Sequence, residues 1–223
     1  MIAVPVSDGE LSEPFFEKAE GKGGHTQYLE RCVAYRIARG AVPEAEKKDR
    51  IFLPMPMIKE KERLKEIHDR DADAVAELLE EGKDVVFLTL GDPTVYSTCM
   101  YVHKRLKKKG YRTELIPGIP SFCAAAARMD ISLVENRQEL HVLPASYQIE
   151  EGLELPGTKV LMKAGRKMAE VKRLLLEKGL EAEMVENCGM EGERICLSAE
   201  EIPEKAGYYS LLIVKEKKRE ERA

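Results

Sequence analysis

The chain contains 223 residues, enough for one large or two smaller α/β domains with a buried core and too many to need disulfide support. Its 36 lysines and arginines nearly balance 40 aspartates and glutamates, and the resulting net charge of −4 argues against a nucleic-acid-binding protein. Hydrophobic residues make up 43% of the chain, which excludes an intrinsically disordered protein and predicts a globular one.

The sequence also lacks the patterns of membrane, secreted and metal-binding proteins. No apolar run approaches the roughly 20 residues of a membrane-spanning helix, and residues 1–5 show no signal-peptide pattern. We therefore expect a cytoplasmic protein that does not bind a membrane. The five cysteines include no Cys-x-x-Cys pair and the four histidines are scattered, so we expect reduced thiols and no metal site.

The first half of the chain alternates between strand and helix patterns. Residues 1–6 and 51–53 are short apolar runs that predict buried strands. A long helix is predicted over residues 59–81, because apolar side chains recur there at near-helical spacing and Gly82 ends the pattern. The continuous apolar run at residues 85–90 is typical of a central parallel strand that is covered on both faces.

A βαβ unit is predicted to continue from that strand. A helical stripe runs from Val95 to Leu106, and residues 114–116 follow as the next strand candidate. An alanine-rich helix is predicted at residues 121–128, where small side chains allow close packing. The N-terminal sheet is therefore expected to be mostly parallel.

The second half predicts a mixed sheet. One amphipathic helix, residues 168–178, lies among the strand candidates, which are residues 140–143, 159–162, 182–186, 195–197 and 208–214. The last three of these follow one another without an intervening helix, so we expect them to pair antiparallel. The chain is thus expected to form two α/β domains with flanking helices, an N-terminal domain of residues 1–117 and a C-terminal domain of residues 118–223.

The turn Leu90-Gly91-Asp92-Pro93 is the main candidate for a ligand-binding loop. It follows the predicted buried strand, and open α/β sheets bind ligands at the carboxyl ends of their strands. Glycine lets a ligand approach the backbone, and proline fixes the turn. The alternative is a purely structural role in which Asp92 caps the following helix. No Gly-x-Gly-x-Gly loop follows a strand, so the ordinary Rossmann-type methyltransferase fold is not supported.

Five segments carry a resemblance to a known family. They are IAVPVS at residues 2–7, VVFLTLGDPTVYST at residues 85–98, IPGIPSFCAAAA at residues 116–127, VLPA at residues 142–145 and VLMKAG at residues 160–165. In this order they resemble the tetrapyrrole methylases, which use S-adenosylmethionine. The chain is most similar to the members that methylate precorrin-2, or cobalt-factor II, at C20 in cobalamin biosynthesis. The resemblance covers nearly the whole chain.

The resemblance implies a two-domain homodimer that binds S-adenosylmethionine between its domains, with the reduced tetrapyrrole over the cofactor. The implied cofactor-binding residues are Leu90, Gly91, Asp92, Val95, Pro120, Ser121, Met162, Lys163 and Ser210. Tyr96 is the candidate for substrate contact, and packing of its ring from the first turn of a helix is an equally good interpretation. No catalytic base is assigned, because the meso carbon of a reduced tetrapyrrole is already nucleophilic and positioning can supply most of the rate.

The chain departs from the family at its beginning. Family members begin with a strand and a Gly-x-Gly-Pro-Gly-Asp loop, neither of which precedes residues 2–7 here. We expect the first family strand to be missing, either because the start codon is misplaced or because the chain is a fragment, and its activity as written is then open. Two alternatives remain: a family member with a different substrate, and a noncatalytic protein that binds S-adenosylmethionine.

Overall fold

The computed structural model describes residues 1–7, 9–19, 26–144 and 149–216. The chain divides into two compact units, Met1–Ile119 and Pro120–Ala223. The domain boundary between residues 117 and 118 stays a prediction. Ala145, which ends one of the segments that carry the family resemblance, lies outside the described residues.

The N-terminal unit contains a four-stranded sheet in the order β2-β3-β1-β4. Its elements are β1 (Ile2–Val6), β2 (Phe15–Glu17), α1 (Thr26–Arg31), α2 (Val33–Ala41), a short 3₁₀ helix (Pro43–Lys47), β3 (Arg50–Pro54), α3 (Lys61–Glu80), β4 (Val86–Phe87) and α4 (Cys99–Lys108). Strand β1 pairs parallel with β3 and with β4, whereas β2 pairs antiparallel with β3. The prediction of a mostly parallel N-terminal sheet is confirmed.

Successive side chains of a strand point to opposite faces of the sheet, and helices cover both faces of this one. On one face, Ala3 and Leu53 pack with Val75 of α3 and Val102 of α4. On the other face, the ring of Phe52 packs with side chains of α1 and α2. Helices on both faces explain why β1 and β3 read as continuous apolar runs.

Two strand predictions in this unit are wrong. Residues 85–90 form only the two-residue strand β4, which lies at the sheet edge and pairs with β1 alone among the described strands. Val86 is 58% exposed because it points away from the core that Val85 and Phe87 contact. Residues 114–116 find no strand partner in the described ranges and form an extended loop, in which Ile116 is exposed.

The C-terminal unit contains a five-stranded sheet in the order β5-β6-β9-β7-β8. Its elements are α5 (Ser121–Arg128), β5 (Leu140–Pro144), α6 (Ile149–Leu153), β6 (Thr158–Met162), a 3₁₀ turn (Gly165–Lys167), α7 (Met168–Lys178), β7 (Glu181–Glu186), β8 (Arg194–Cys196) and β9 (Ser210–Lys215). Strand β5 pairs parallel with β6, and all other pairs are antiparallel. The predicted mixed sheet is confirmed, as is the antiparallel pairing of the last three strands.

Helices cover both faces of the second sheet as well. Ala125 and Ala126 of α5 pack on Val160 of β6 and Leu211 of β9, where small side chains let the helix approach the sheet closely. The side chains of α6 and α7 form a separate core with Leu161, Met184 and other residues of the opposite face. Across the described ranges, no helix combines the length and apolarity needed to cross a lipid bilayer.

Candidate functional site

The first candidate loop connects β4 to α4 in the N-terminal unit. Gly91 has a φ of 67°, in the left-handed region that glycine adopts without steric cost. The carbonyl oxygen of Gly91 lies 2.3 Å from the position that a Cβ on Gly118 would occupy. The backbones of residues 91 and 118 therefore approach each other so closely that no side chain fits at residue 118.

The carboxylate of Asp92 fixes this approach. Its Oδ1 accepts hydrogen bonds from the backbone nitrogen of Thr94 at 2.8 Å and from the Thr94 hydroxyl at 2.5 Å, while Oδ2 accepts one from the backbone nitrogen of Gly118 at 3.1 Å. The hydrogen bonds from the Thr94 side chain, the Thr94 backbone and Gly118 hold the pKa of Asp92 below its ordinary value. The alternative interpretation, in which Asp92 caps the next helix, is wrong, because α4 begins only at Cys99 and the Asp92 side chain closes a turn instead.

Tyr96 lies in the same loop with a backbone conformation that is unusual for an aromatic residue. Its φ of 51° is left-handed, which costs a residue with a Cβ about 1–2 kcal/mol. The side chain is 50% exposed, so burial does little to offset that cost. Next to it, the hydroxyls of Thr89 and Ser97 form a 2.7 Å hydrogen bond that joins the two ends of the loop. Tyr96 therefore precedes the helix rather than lying on its first turn.

The second candidate segment begins the C-terminal unit. The carbonyl oxygen of Pro120 accepts hydrogen bonds from the backbone nitrogens of Cys123 at 3.0 Å and Ala124 at 3.1 Å, so the first turn of α5 begins at Ser121. Phe122 of this turn and Met162 at the end of β6 pack against the same core. Pro120 and Ser121 therefore lie at the N-terminal end of α5, the helix that packs against the end of β6.

The end of β6 and the beginning of β9 form the third candidate segment. Met162 pairs with Leu211 in the antiparallel ladder. Lys163, which follows Met162, and Ser210, which precedes Leu211, therefore lie at the same end of the sheet. Lys163 has a φ of 62°, which turns the chain sharply away from β6. The Ser210 hydroxyl donates a 2.7 Å hydrogen bond to the carbonyl oxygen of Gly207. The structure therefore brings Met162, Lys163 and Ser210 together.

A close backbone contact joins the loops that flank these residues. A Cβ on Gly165 would lie 2.4 Å from the carbonyl oxygen of Gly207 and 2.8 Å from that of Ala206. Only glycine permits this approach. Gly118, Gly165 and Gly207 were not predicted as site residues, although each lies within or beside a segment that carries the family resemblance or a predicted site residue.

The predicted site residues thus form one set in each unit. Leu90, Gly91, Asp92, Val95 and Tyr96 share one loop of the N-terminal unit, and the set of the C-terminal unit is Pro120, Ser121, Met162, Lys163 and Ser210. Close to each set, a glycine approaches other backbone groups without an intervening side chain. Within the described part of the chain, no group of three or more His, Cys, Asp or Glu side chains is placed to hold a metal ion.

Comparison with protein families gives a match over most of the chain. Residues 27–203 match the family described as Tetrapyrrole (Corrin/Porphyrin) Methylases. The matched region includes every predicted site residue except Ser210.

Two curated relatives carry closely related names. The probable cobalt-precorrin-2 C(20)-methyltransferase of Methanocaldococcus jannaschii is 38% identical over 133 residues, which cover 60% of this chain and 55% of that protein. The chain therefore spans about half the length of that relative. The precorrin-2 C(20)-methyltransferase of a Sinorhizobium species is 30% identical over 222 residues, covering 93% of this chain and 90% of that protein.

A solved structure shares the fold. The uroporphyrin-III C-methyl transferase from Thermus thermophilus, complexed with S-adenyl homocysteine, superimposes with a TM-score of 0.56 at 18% identity. The superposition covers 79% of this chain and 80% of that one. At this level of identity the likeness shows the fold, which is the two-unit α/β architecture described above.

Proposed function

Because the chain belongs to the tetrapyrrole methylase family, we propose that it is an S-adenosylmethionine-dependent methyltransferase that acts on C20 of precorrin-2, or of a cobalt-bound counterpart such as cobalt-factor II, in cobalamin biosynthesis. The observation that carries the choice of substrate is the match to the Sinorhizobium precorrin-2 C(20)-methyltransferase, which extends over 93% of the chain. The Methanocaldococcus relative, whose name specifies the cobalt-bound substrate, supports the same ring position.

The two sets of site residues fit S-adenosylmethionine. The backbone of Leu90, Gly91 and Val95 in the first loop is not shielded by a side chain at residue 91, and residues 116 and 119 nearby expose apolar surface. In the C-terminal unit, the left-handed turn at Lys163 presents main-chain groups beside Met162 and Ser210. Such a combination of bare backbone and exposed apolar side chains suits an adenosine and an amino-acid moiety. Asp92 would contribute by fixing the first loop, and Pro120 and Ser121 by the position of the first turn of α5.

When bound, S-adenosylmethionine supplies an electrophilic methyl group on a sulfonium centre. The residues of the chain then have to hold the meso carbon of the tetrapyrrole in line with that methyl group and exclude water. Half-exposed Tyr96 offers an aromatic ring to the substrate. The proton on C20 can leave to water or to a weak base after the methyl group has arrived, so the proposal assigns no strong base.

The proposal includes a homodimer in the cytoplasm whose protomers have domains of residues 1–117 and 118–223. The support for the dimer and for the location is the family resemblance. The alternative activity, methylation at another ring position or of another substrate, would use the same cofactor site and differ in substrate or product.

The proposal is tested first by calorimetric titration of S-adenosylhomocysteine into the folded chain at neutral pH. Binding in the micromolar range is expected. The second step is incubation with S-adenosylmethionine and either precorrin-2 or cobalt-factor II, with detection of a product that has gained one methyl group. Binding without any transfer to either tetrapyrrole would favour the noncatalytic alternative.

A further inference from the structure

Glu186, the last residue of β7, reaches across to the loop before β9. Its Oε1 accepts a hydrogen bond from the backbone nitrogen of Gly207. A Cβ on Gly207 would lie 2.8 Å from the same oxygen, so a side chain at residue 207 would displace the Glu186 carboxylate from this position. We propose that Glu186 is a positioning residue that sets the geometry of the cofactor-binding segment formed by Met162, Lys163 and Ser210, an inference that rests on the proposed function.

In this proposal, Glu186 acts on the cofactor-binding segment by fixing the position of Gly207. Its nitrogen donates to Glu186, its carbonyl oxygen accepts the Ser210 hydroxyl at 2.7 Å, and the same carbonyl lies against Gly165. Gly165 follows Lys163 by two residues, within the turn that leaves β6. The position of Gly207 therefore determines how the turn after β6 and the first residue of β9 face each other.

The pairing of β7 with β9 does not depend on the side chain of Glu186. Strands β7 and β9 pair through their backbones from Glu181 opposite Lys215 to Glu186 opposite Ser210, and the Asn187 nitrogen donates to the Tyr209 carbonyl at 3.1 Å beyond that. This ladder does not involve the Glu186 carboxylate. Because the Glu186–Gly207 hydrogen bond is also solvent-exposed, its loss should leave the fold nearly as stable as before.

The test compares the binding of S-adenosylhomocysteine to four proteins by calorimetry. Glu186→Ala removes the acceptor and is expected to weaken binding about tenfold. Glu186→Gln keeps an oxygen that can accept from Gly207 and is expected to stay within about twofold of the unmodified chain. Glu181→Ala, on the exposed first residue of the same strand, is the matched control and should bind unchanged.

Steady-state kinetics separate positioning from a general loss of structure. With Glu186→Ala, the KM for S-adenosylmethionine should rise while the KM for the tetrapyrrole stays within about twofold. A fourth variant, Gly207→Ala, keeps the carboxylate but forces it away from the loop, and should reproduce the weaker cofactor binding. If Glu186→Ala does not fold, the contrast between Glu186→Gln and Gly207→Ala carries the test.

The outcomes for the two proposals differ. If the unmodified chain does not bind S-adenosylhomocysteine, the proposed function fails and this inference fails with it. If the unmodified chain binds and Glu186→Ala binds with the same affinity, only the inference is overturned. It is also overturned if both KM values rise equally together with a loss of thermal stability, because that pattern indicates a structural role alone.

Discussion

Oδ2 of Asp92 accepts a hydrogen bond from the backbone nitrogen of Gly118 at 3.1 Å, across 26 residues of sequence. Because Oδ1 already accepts two hydrogen bonds from Thr94, the carboxylate is committed to holding two loops together. We therefore expect Asp92 to act on a ligand of this loop through the geometry of Leu90, Gly91 and Val95 rather than by direct contact.

Replacement of Asp92 tests this role. Asp92→Ala should weaken S-adenosylhomocysteine binding about tenfold, because the loop loses all three hydrogen bonds. Asp92→Asn retains one acceptor oxygen, so its affinity for S-adenosylhomocysteine should lie between those of the unmodified chain and Asp92→Ala. Calorimetry on the three proteins gives the ranking, and equal affinities for all three would contradict the role of Asp92 in shaping the loop.

The ionisation of Asp92 also sets a pH dependence. Its folded-state pKa is depressed, so the stabilising contribution of its ionised form is present above the unfolded pKa and disappears as pH falls through the lower, folded pKa. Between about pH 5 and 8 the carboxylate should stay ionised. The affinity of the unmodified chain for S-adenosylhomocysteine is expected to show no titration from Asp92 in that range, measured by calorimetry at intervals of one pH unit.

The close approach at Gly118 predicts a sharp contrast between two glycines. In Gly118→Ala, the new Cβ would lie 2.3 Å from the Gly91 carbonyl oxygen, so the loop must shift and cofactor binding should fall at least tenfold. Gly40→Ala is the matched control, since Gly40 lies within α2 and has open space around it. That variant should bind normally and be more stable by about 0.5–1 kcal/mol, as measured by chemical denaturation.

The strained backbone of Tyr96 allows the ring to be tested apart from the loop. Asparagine tolerates the left-handed region well, so Tyr96→Asn removes the ring and keeps the backbone conformation. We expect the KM for the tetrapyrrole to rise about tenfold and the affinity for S-adenosylhomocysteine to stay within about twofold. An unchanged tetrapyrrole KM would show that the ring does not contact the substrate.

A buried carboxyl group outside the candidate site predicts how stability depends on pH. Asp71 of α3 is fully buried, and neither carboxylate oxygen has a hydrogen-bond partner among the described residues. Desolvation by burial raises its pKa to about 7, with Arg70 and Arg105 opposing the shift and Glu13 adding to it. The folded state therefore holds a proton on Asp71 at pH values where the unfolded chain has lost it.

The sign of the effect follows from that difference. The free energy of unfolding should decrease as pH rises from about 4 to about 7, by a total on the order of 4 kcal/mol, and then level off. Asp71→Asn should remove this slope, whereas Asp73→Asn, at an exposed ion pair with Lys109, should retain it. Urea denaturation at four pH values distinguishes the two, and an equal slope in Asp71→Asn would contradict the assignment.

Hydrophobic patterning predicted those elements whose apolar side chains recur regularly along one buried face. The helix predicted at residues 168–178 has the same bounds in the structure, because four apolar side chains face the sheet and Gly179 ends it in a left-handed conformation. Helices α1 and α2, between residues 26 and 41, were not predicted, although α2 is amphipathic and buries Ala34 and Tyr35. Strand β4 pairs with β1 at only two positions, and the apolar run at residues 85–90 does not reveal where that pairing ends.

The candidate site was predictable only in part. The family resemblance predicted Met162, Lys163 and Ser210 as site residues, and antiparallel pairing of β6 with β9 explains why they lie at the same end of the sheet. The contacts that shape the site, from Glu186 to Gly207 and from Gly165 to Gly207, depend on how loops approach each other in three dimensions. Neither hydrophobic periodicity nor a short motif contains that information.

The most direct test of the proposed activity uses S-adenosylmethionine labelled with ¹³C in its methyl group. The chain is incubated with labelled cofactor and either precorrin-2 or cobalt-factor II, and the product is examined by ¹³C NMR. The proposed function predicts a single new methyl resonance from a carbon attached to C20. A label on any other ring carbon, or no label on either tetrapyrrole from a chain that binds S-adenosylhomocysteine, would contradict it.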